Sequence, residues 1–276
     1  MMPRLIGFGG LACVLAAVIG LALSAGAAQA AEGQDPPSDQ TPQAVPATPN
    51  SPAQAQPPSP VPTNASPAAP APDLSFSVNV AATTDYIFRG VSQSDESPAP
   101  QAGVDVGYKM LYAGAWASRV RFPGDTARFE TDLYGGIKPT YAGFSFDVGF
   151  VYYGYTHQLP GHPDDYWEGK VAVSHAAGKA TVGAVVFYSP NFFGETDDAW
   201  YGEVNASYPL FKRLSVSGAV GHQDVSYHGD YTTWNAGGTF AVTDKVGLDL
   251  RYYDTDHHGF GDIYGSRVVA TLKAVF

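Results

Sequence analysis

From Leu74 to the end of the chain, apolar and polar residues alternate in short runs, and no stretch repeats with the period of an amphipathic helix. A period of two marks half-buried β-strands. Twelve such segments start near Leu74, Pro100, Tyr112, Ala127, Phe144, Asp165, Ala180, Ala199, Leu214, Tyr231, Lys245 and Asp262. Parity gives each two faces. Leu74, Phe76, Val78, Val80 and Ala82 share one face of the first segment, which runs on to Tyr86 and Phe88. The fifth carries Phe144, Phe146, Val148, Phe150 and Tyr152, and the eleventh Val246, Leu248, Leu250 and Tyr252.

The connections alternate in kind. Lys109–Leu111, Lys138–Gly143, Ala176–Lys179, Pro209–Arg213 and Thr243–Asp244 are short and basic or neutral. Val91–Ala99, Pro123–Thr126, Thr156–Asp164, Pro190–Asp198, Asp224–Asp230 and Asp254–Gly261 are generally longer, and acidic. Short inner turns and longer outer loops predict an all-β, transmembrane, antiparallel up-and-down β-barrel of about twelve strands, because lipid tolerates no open sheet edge. Gly265–Phe276 resembles the terminal strand of bacterial outer-membrane barrels. It alternates Val268, Ala270, Leu272, Ala274 and ends on Phe276. That likeness implies recognition by the barrel-assembly machinery through this strand. Aromatic belts are expected at Tyr108, Tyr112, Phe144 and Tyr208 on the inner side. On the outer side they are expected at Tyr86, Phe88, Phe122, Tyr152, Trp167, Trp200 and Tyr252.

The first 73 residues differ. Arg4, an apolar run to about Leu23 and Ala28-Gln29-Ala30 predict a cleaved signal peptide over 1–30. A retained inner-membrane anchor and a lipoprotein at Cys13 are the alternatives. Residues 31–73, rich in Pro, Ala, Gln and Ser, read as a disordered linker before a barrel at 74–276. A cell-wall-binding role is the alternative for that tail. Charged residues make up 15 % of the chain, against roughly 25 % in soluble domains. The formal net charge of -11 excludes nucleic acid as a natural partner. Cys13 is the single cysteine, so the mature chain has neither disulfides nor cysteine metal sites.

The face opposite the apolar one carries Asp85, Arg89, Asp105, Arg119, Arg121, Glu130, Asp132, Asp147, Glu168, Lys170, Glu203, Asp249, Arg251 and Arg267. Against lipid each charge costs several kcal/mol at mid-depth, so all are expected to line the interior. Pairing Arg121 with Glu130 also pairs Arg119 with Asp132, which predicts two cross-strand ion pairs. Asp85 and Arg89, four apart in one strand before Gly90, read either as a constriction or as an ion pair fixing the first loop.

Thr83-Thr84-Asp85-Tyr86-Ile87-Phe88-Arg89-Gly90-Val91-Ser92-Gln93-Ser94 resembles the signature of the TorF family of porins, uncharacterised small proteobacterial outer-membrane proteins. Asp132-Leu133-Tyr134-Gly135-Gly136, Asp147-Val148-Gly149 with Tyr152-Tyr153, and Tyr166-Trp167-Glu168 are similar to its later motifs. The likeness covers about Leu74 to Phe276. It implies an outer-membrane pore and supplies no substrate. The partners expected are outer-membrane lipid and small polar solutes or cations, with weak cation preference from the acidic loops. No cofactor is expected.

His157, His162, His222, His228, His257 and His258 fall on or near the acidic loops, in spacings that match no metal motif; solvated polarity is their simpler reading. A hydrolase is disfavoured because Ser174 and His175, adjacent in a strand, face opposite sides. A soluble lipid-binding barrel is disfavoured because the outward residues are the apolar ones. A closed structural or adhesive barrel is the remaining alternative to a channel.

Overall fold

The structure, a computed structural model, describes residues 74–158, 163–226 and 229–276. The expected signal segment and linker, with Cys13, His162 and His228, lie outside the described residues. Fifteen strands follow in order. They are β1 (Leu74–Thr83), β2 (Ile87–Phe88), β3 (Val91–Ser92), β4 (Ala99–Tyr108), β5 (Leu111–Arg119), β6 (Phe129–Ile137), β7 (Thr140–Tyr141) and β8 (Phe144–Tyr155). Then come β9 (Tyr166–Ala177), β10 (Ala180–Ser189), β11 (Ala199–Phe211), β12 (Leu214–Val225), β13 (Tyr231–Ala241), β14 (Val246–Thr255) and β15 (Arg267–Val275).

Thirteen of them form one antiparallel sheet, and β2 pairs only with β3. Setting aside β7, two residues at the turn before β8, twelve long strands close into a cylinder through the β6–β8 and β1–β15 pairings. The last seam runs from Asn79 opposite Val275 to Thr83 opposite Thr271. Phe276 and Val78 extend it with two backbone hydrogen bonds of 2.9 and 3.1 Å. Closure leaves no strand edge unpaired, which is what a barrel achieves and an open sheet does not.

The observed strands begin within two residues of eleven expected starts. The twelfth differs: Asp262–Tyr264 is a 3₁₀ turn, and β15 begins at Arg267. The two-residue period is borne out on the outer face. Phe76, Phe150, Val171, Leu250 and Val268 are all more than half exposed there. Tyr108, Phe144, Tyr152, Trp167, Trp200, Tyr208 and Tyr252 join them as exposed rings. Four aromatic assignments are corrected. Tyr86, Phe88 and Phe122 are buried inside the cylinder, and Tyr112 turns inward to Asp147.

The buried core lies inside the loop-side half of the barrel. Rings from β8, β9, β10, β11 and β13 meet Tyr86, Phe88 and Val91 of the first loop and Ile263 and Tyr264 of the last. Tyr153 stacks on Tyr166 at 4.5 Å, and Tyr231 meets Tyr264 edge-on at 5.4 Å.

Candidate functional site

The first loop, between Thr83 and Ala99, folds back into the cylinder. β2 and β3 form its hairpin, and Arg89 and Gly90, at φ 45° and 86°, make the tip. Glycine is required there twice over. The conformation is left-handed, and a Cβ on Gly90 would lie 2.1 Å from Thr233 Oγ1 and 2.9 Å from Thr255 Cγ2. The tip therefore reaches β13 and β14.

Arg89 crosses the interior to the far wall. Its Nη2 donates to Glu168 Oε2 at 2.7 Å, and its Nη1 to Glu168 Oε1 at 3.2 Å and Gln223 Oε1 at 2.7 Å. The guanidinium also lies over the rings of Phe88, Phe187 and Tyr201, 4.2–4.9 Å from their centroids. Asp85 anchors the base of the loop. It accepts from Ser92 Oγ at 2.6 Å, Ser94 Oγ at 2.8 Å and Arg267 Nη1 at 3.0 Å. Arg267 also faces Glu96 at 3.4 Å. Asp85 and Arg89 thus share no ion pair, and neither lies in a barrel strand, since β1 ends at Thr83. The expected common strand is corrected; each residue instead ties the loop to a different wall.

Below the plug, the turn-side half is polar. Tyr134 Oη donates to Asp105 Oδ1 at 2.6 Å, and Tyr112 Oη to Asp147 Oδ1 at 2.7 Å. Lys170 Nζ reaches Asp147 Oδ2 at 2.8 Å. Arg251 is paired with Asp249 at 3.1 Å and donates to Ser217 Oγ and Asn235 Oδ1, both at 2.8 Å. Glu203 accepts from Tyr201 Oη at 2.8 Å and Asn205 Nδ2 at 3.1 Å. Glu130 and Asp132 are fully buried on β6. Tyr86 Oη donates to Glu130 Oε1 at 2.9 Å, and Asp132 lies beside Glu130 on the same face of β6.

Arg119 and Arg121 are not in the interior. The β5–β6 register places Ser118 opposite Glu130 and Trp116 opposite Asp132. Arg119 is exposed on the outer face opposite Phe129, and exposed Arg121 faces Asp95 at 3.3 Å. The two expected ion pairs do not form. The inward parity is that of Trp116, Ser118, Val120 and Phe122, which are buried against the loop-side core. The other twelve expected residues point inward, and tyrosines 112, 134, 153, 155, 166 and 201 join them. All of these tyrosines but Tyr112 share strand parity with an inward charge on their own strand, and that parity is the one sequence signal for them.

At the loop end, burial beside Asp125 and Asp165 pushes the Asp164 carboxyl up to about 7. Partial burial works against the Asp256 carboxylate, but hydrogen bonds from His257 and the Thr232 N–H outweigh it and hold Asp256 below its ordinary range. His258 Nε2 lies 2.6 Å from Asp254 Oδ1. Among the described residues no three His, Cys, Asp or Glu side chains gather into a metal-holding group. His175 stacks on Phe144 at 4.6 Å and contacts the Gly143 carbonyl.

No curated protein matches the chain in sequence. Solved structures do match its fold. One titled "KdgM porin" has a TM-score of 0.54 at 7 % identity, covering 72 % of this chain and 99 % of that one. "KdgM porin in complex with disordered oligogalacturonate" also gives 0.54, at 8 % identity, with the same coverage. A NanC porin gives 0.50 at 10 % identity, covering 73 % and 98 %. At these identities the likeness shows a shared barrel architecture. Residues 65–276 match the family described as "Bacterial protein of unknown function (Gcw_chp)", and the chain belongs to that family.

Proposed function

We propose that the mature chain is an exported outer-membrane, porin-like channel for passive diffusion of ions or small polar solutes, with no enzymatic activity. Its aperture is set by the inward-folded first loop. The apolar outer face and full closure support a membrane location, because hydrocarbon accepts only a surface with every backbone group paired. The likeness to solved porins supports the channel class, and the finer TorF assignment belongs to the same reading. The terminal strand, closing at Phe276, is the segment offered to the assembly machinery.

One observation carries the proposal: Arg89 ties a hairpin across a lumen whose remaining length is lined with charge. Beyond the plug the inward carboxylates are Asp105, Asp147, Glu203 and Asp249, against the cations Lys170, Arg251 and Lys273. That excess of acid favours cations or neutral solutes over a polyanionic saccharide like the one in the KdgM complex. The complete burial of Arg89 and Glu168, each side chain 1 % exposed, favours a second reading, a closed structural or adhesive barrel.

Single-channel recording in planar bilayers decides between them. A channel shows unitary steps, rare in the native protein and more frequent once the hairpin tip is released. It also shows a reversal potential under a salt gradient that shifts toward zero when Asp147 is neutralised. A barrel silent both with and without its hairpin is closed by construction.

A further inference from the structure

The turn end of the barrel is chemically unlike the loop end. Each of its five turns carries a cation: Lys109, Lys138, Lys179, Lys212 with Arg213, and Lys245. Asp244 is the single acidic residue among the described residues of these turns. Beside the cations stand exposed apolar side chains, among them Met110 at 54 %, Phe211 at 68 % and Phe276 at 64 %. Lys109 lies over the Tyr108 ring and Lys245 over the Phe276 ring, so ammonium groups and the apolar collar are interleaved.

Among the described residues the collar steps back between β10 and β11. β11 outruns β10: their ladder stops at Thr181 opposite Ser207, whereas β11 continues to Phe211. A register shift between Pro209 and Phe211 accompanies the overhang. The step leaves a shallow groove, largely open to solvent, of about 520 Å³ and lined by Lys179, Pro209, Leu210, Phe211 and Lys212. Two cations from different turns thus flank an apolar ledge at the rim of the lipid-facing surface.

We propose that this groove seats an anionic glycerophospholipid, its phosphodiester between Lys179 and Lys212 and an acyl chain along Leu210 and Phe211. Charge complementarity selects the occupant. A phosphate with an acyl chain satisfies both halves of the groove, and lysine stems lie along apolar surface while their heads meet the phosphate. The acidic loop end carries no lysine among its described loop residues, so the groove also favours the turn end for the phospholipid leaflet. The inference rests on the membrane reading above.

The test is native mass spectrometry of the purified full chain in neutral detergent, titrated with phosphatidylglycerol, phosphatidylethanolamine or inorganic phosphate. The expected result is a one-to-one phosphatidylglycerol adduct. Lys179→Gln/Lys212→Gln weakens it roughly thirtyfold, as expected for two cations near a phosphate. Lys109→Gln/Lys245→Gln, with the same loss of charge elsewhere on the ring, leaves it intact. Equal binding of both lipids by the native chain overturns the proposal without any variant. Equal loss in both double variants also overturns it, since the ring then acts only as a diffuse field. Competition by inorganic phosphate as effective as the lipid's own binding removes the role of the ledge. Failure of the chain to insert into vesicles sinks the membrane reading instead, so the two failures are separable.

Discussion

Arg89 Nη2 and Glu168 Oε2 lie 2.7 Å apart with both side chains 1 % exposed, joining the first loop of the barrel to its opposite wall. Removing one partner of such a pair strands a buried charge and costs about 3–5 kcal/mol, whereas replacing both with apolar groups is often nearly neutral. Glu168→Ala is therefore expected to release the hairpin. Trypsin should then cut after Arg89, which the native fold shields, and conductance steps should become more frequent. Arg89→Met/Glu168→Leu should restore the quiet trace. A single variant that remains resistant at Arg89 would show that the aromatic rings, not the ion pair, hold the loop.

Gly90 supplies a steric route to the same release without touching any charge. Gly90→Ala adds a methyl 2.1 Å from Thr233 Oγ1 at a φ of 86°, so both the backbone and the wall oppose it. The expected outcome is an intact barrel with a displaced hairpin, because strand pairing does not involve this residue. Unchanged heat-modifiable migration together with increased hydrogen exchange at Val91–Ser94 would establish it. Native-like protection there would mean that β13 and β14 move aside instead.

The barrel itself was legible because its two faces meet different surroundings over most of its length, which writes a period of two into successive residues. The rule that apolar means outward fails in one place, the loop-side half of the interior. There the wall packs on a protein plug, so Trp116, Val120 and Phe122 face in and Arg119 and Arg121 face out. A parity argument has no access to this, since it assumes that water fills the lumen. Tyr86 and Phe88 misled for the same reason: they resemble an outer belt while forming the core of the plug. The inward placement of Glu168, Asp147 and Arg251 was legible because no outward position would tolerate them. Their tyrosine partners were legible by parity alone, because a phenol by its chemistry suits an interface as well as a lumen.

Asp164 gives the loop end a pH dependence. Its carboxyl is raised to about 7 in the folded chain by burial beside Asp125 and Asp165, above the ordinary unfolded value. The folded state therefore holds more protons than the unfolded state between about pH 4 and 7, and stability falls as pH rises through that window. The side chain is 3 % exposed but sits in a loop with water close by, so about 1 kcal/mol is at stake after allowing for solvent screening. Melting in detergent should move to lower temperature between pH 5 and pH 8. Asp164→Asn should flatten this trend. An equal slope in the variant would assign it to other carboxylates.

Two neighbouring sites on paired strands separate the faces most directly. Leu250 lies on the outer face opposite Gly238, and the next rung pairs Thr239 with Asp249, where Thr239 Oγ1 donates to Asp249 Oδ2 at 2.7 Å inside the cylinder. A lysine at mid-depth on the lipid face of a barrel costs about 2–4 kcal/mol. Leu250→Lys should lower the urea midpoint of vesicle-inserted barrel by a corresponding amount and slow its assembly. Thr239→Lys places the same charge one residue away beside a carboxylate, and should fold with little change. The contrast depends only on the direction each Cβ takes from the sheet, so equal penalties at the two positions would contradict the separation of hydrocarbon outside from polar groups within.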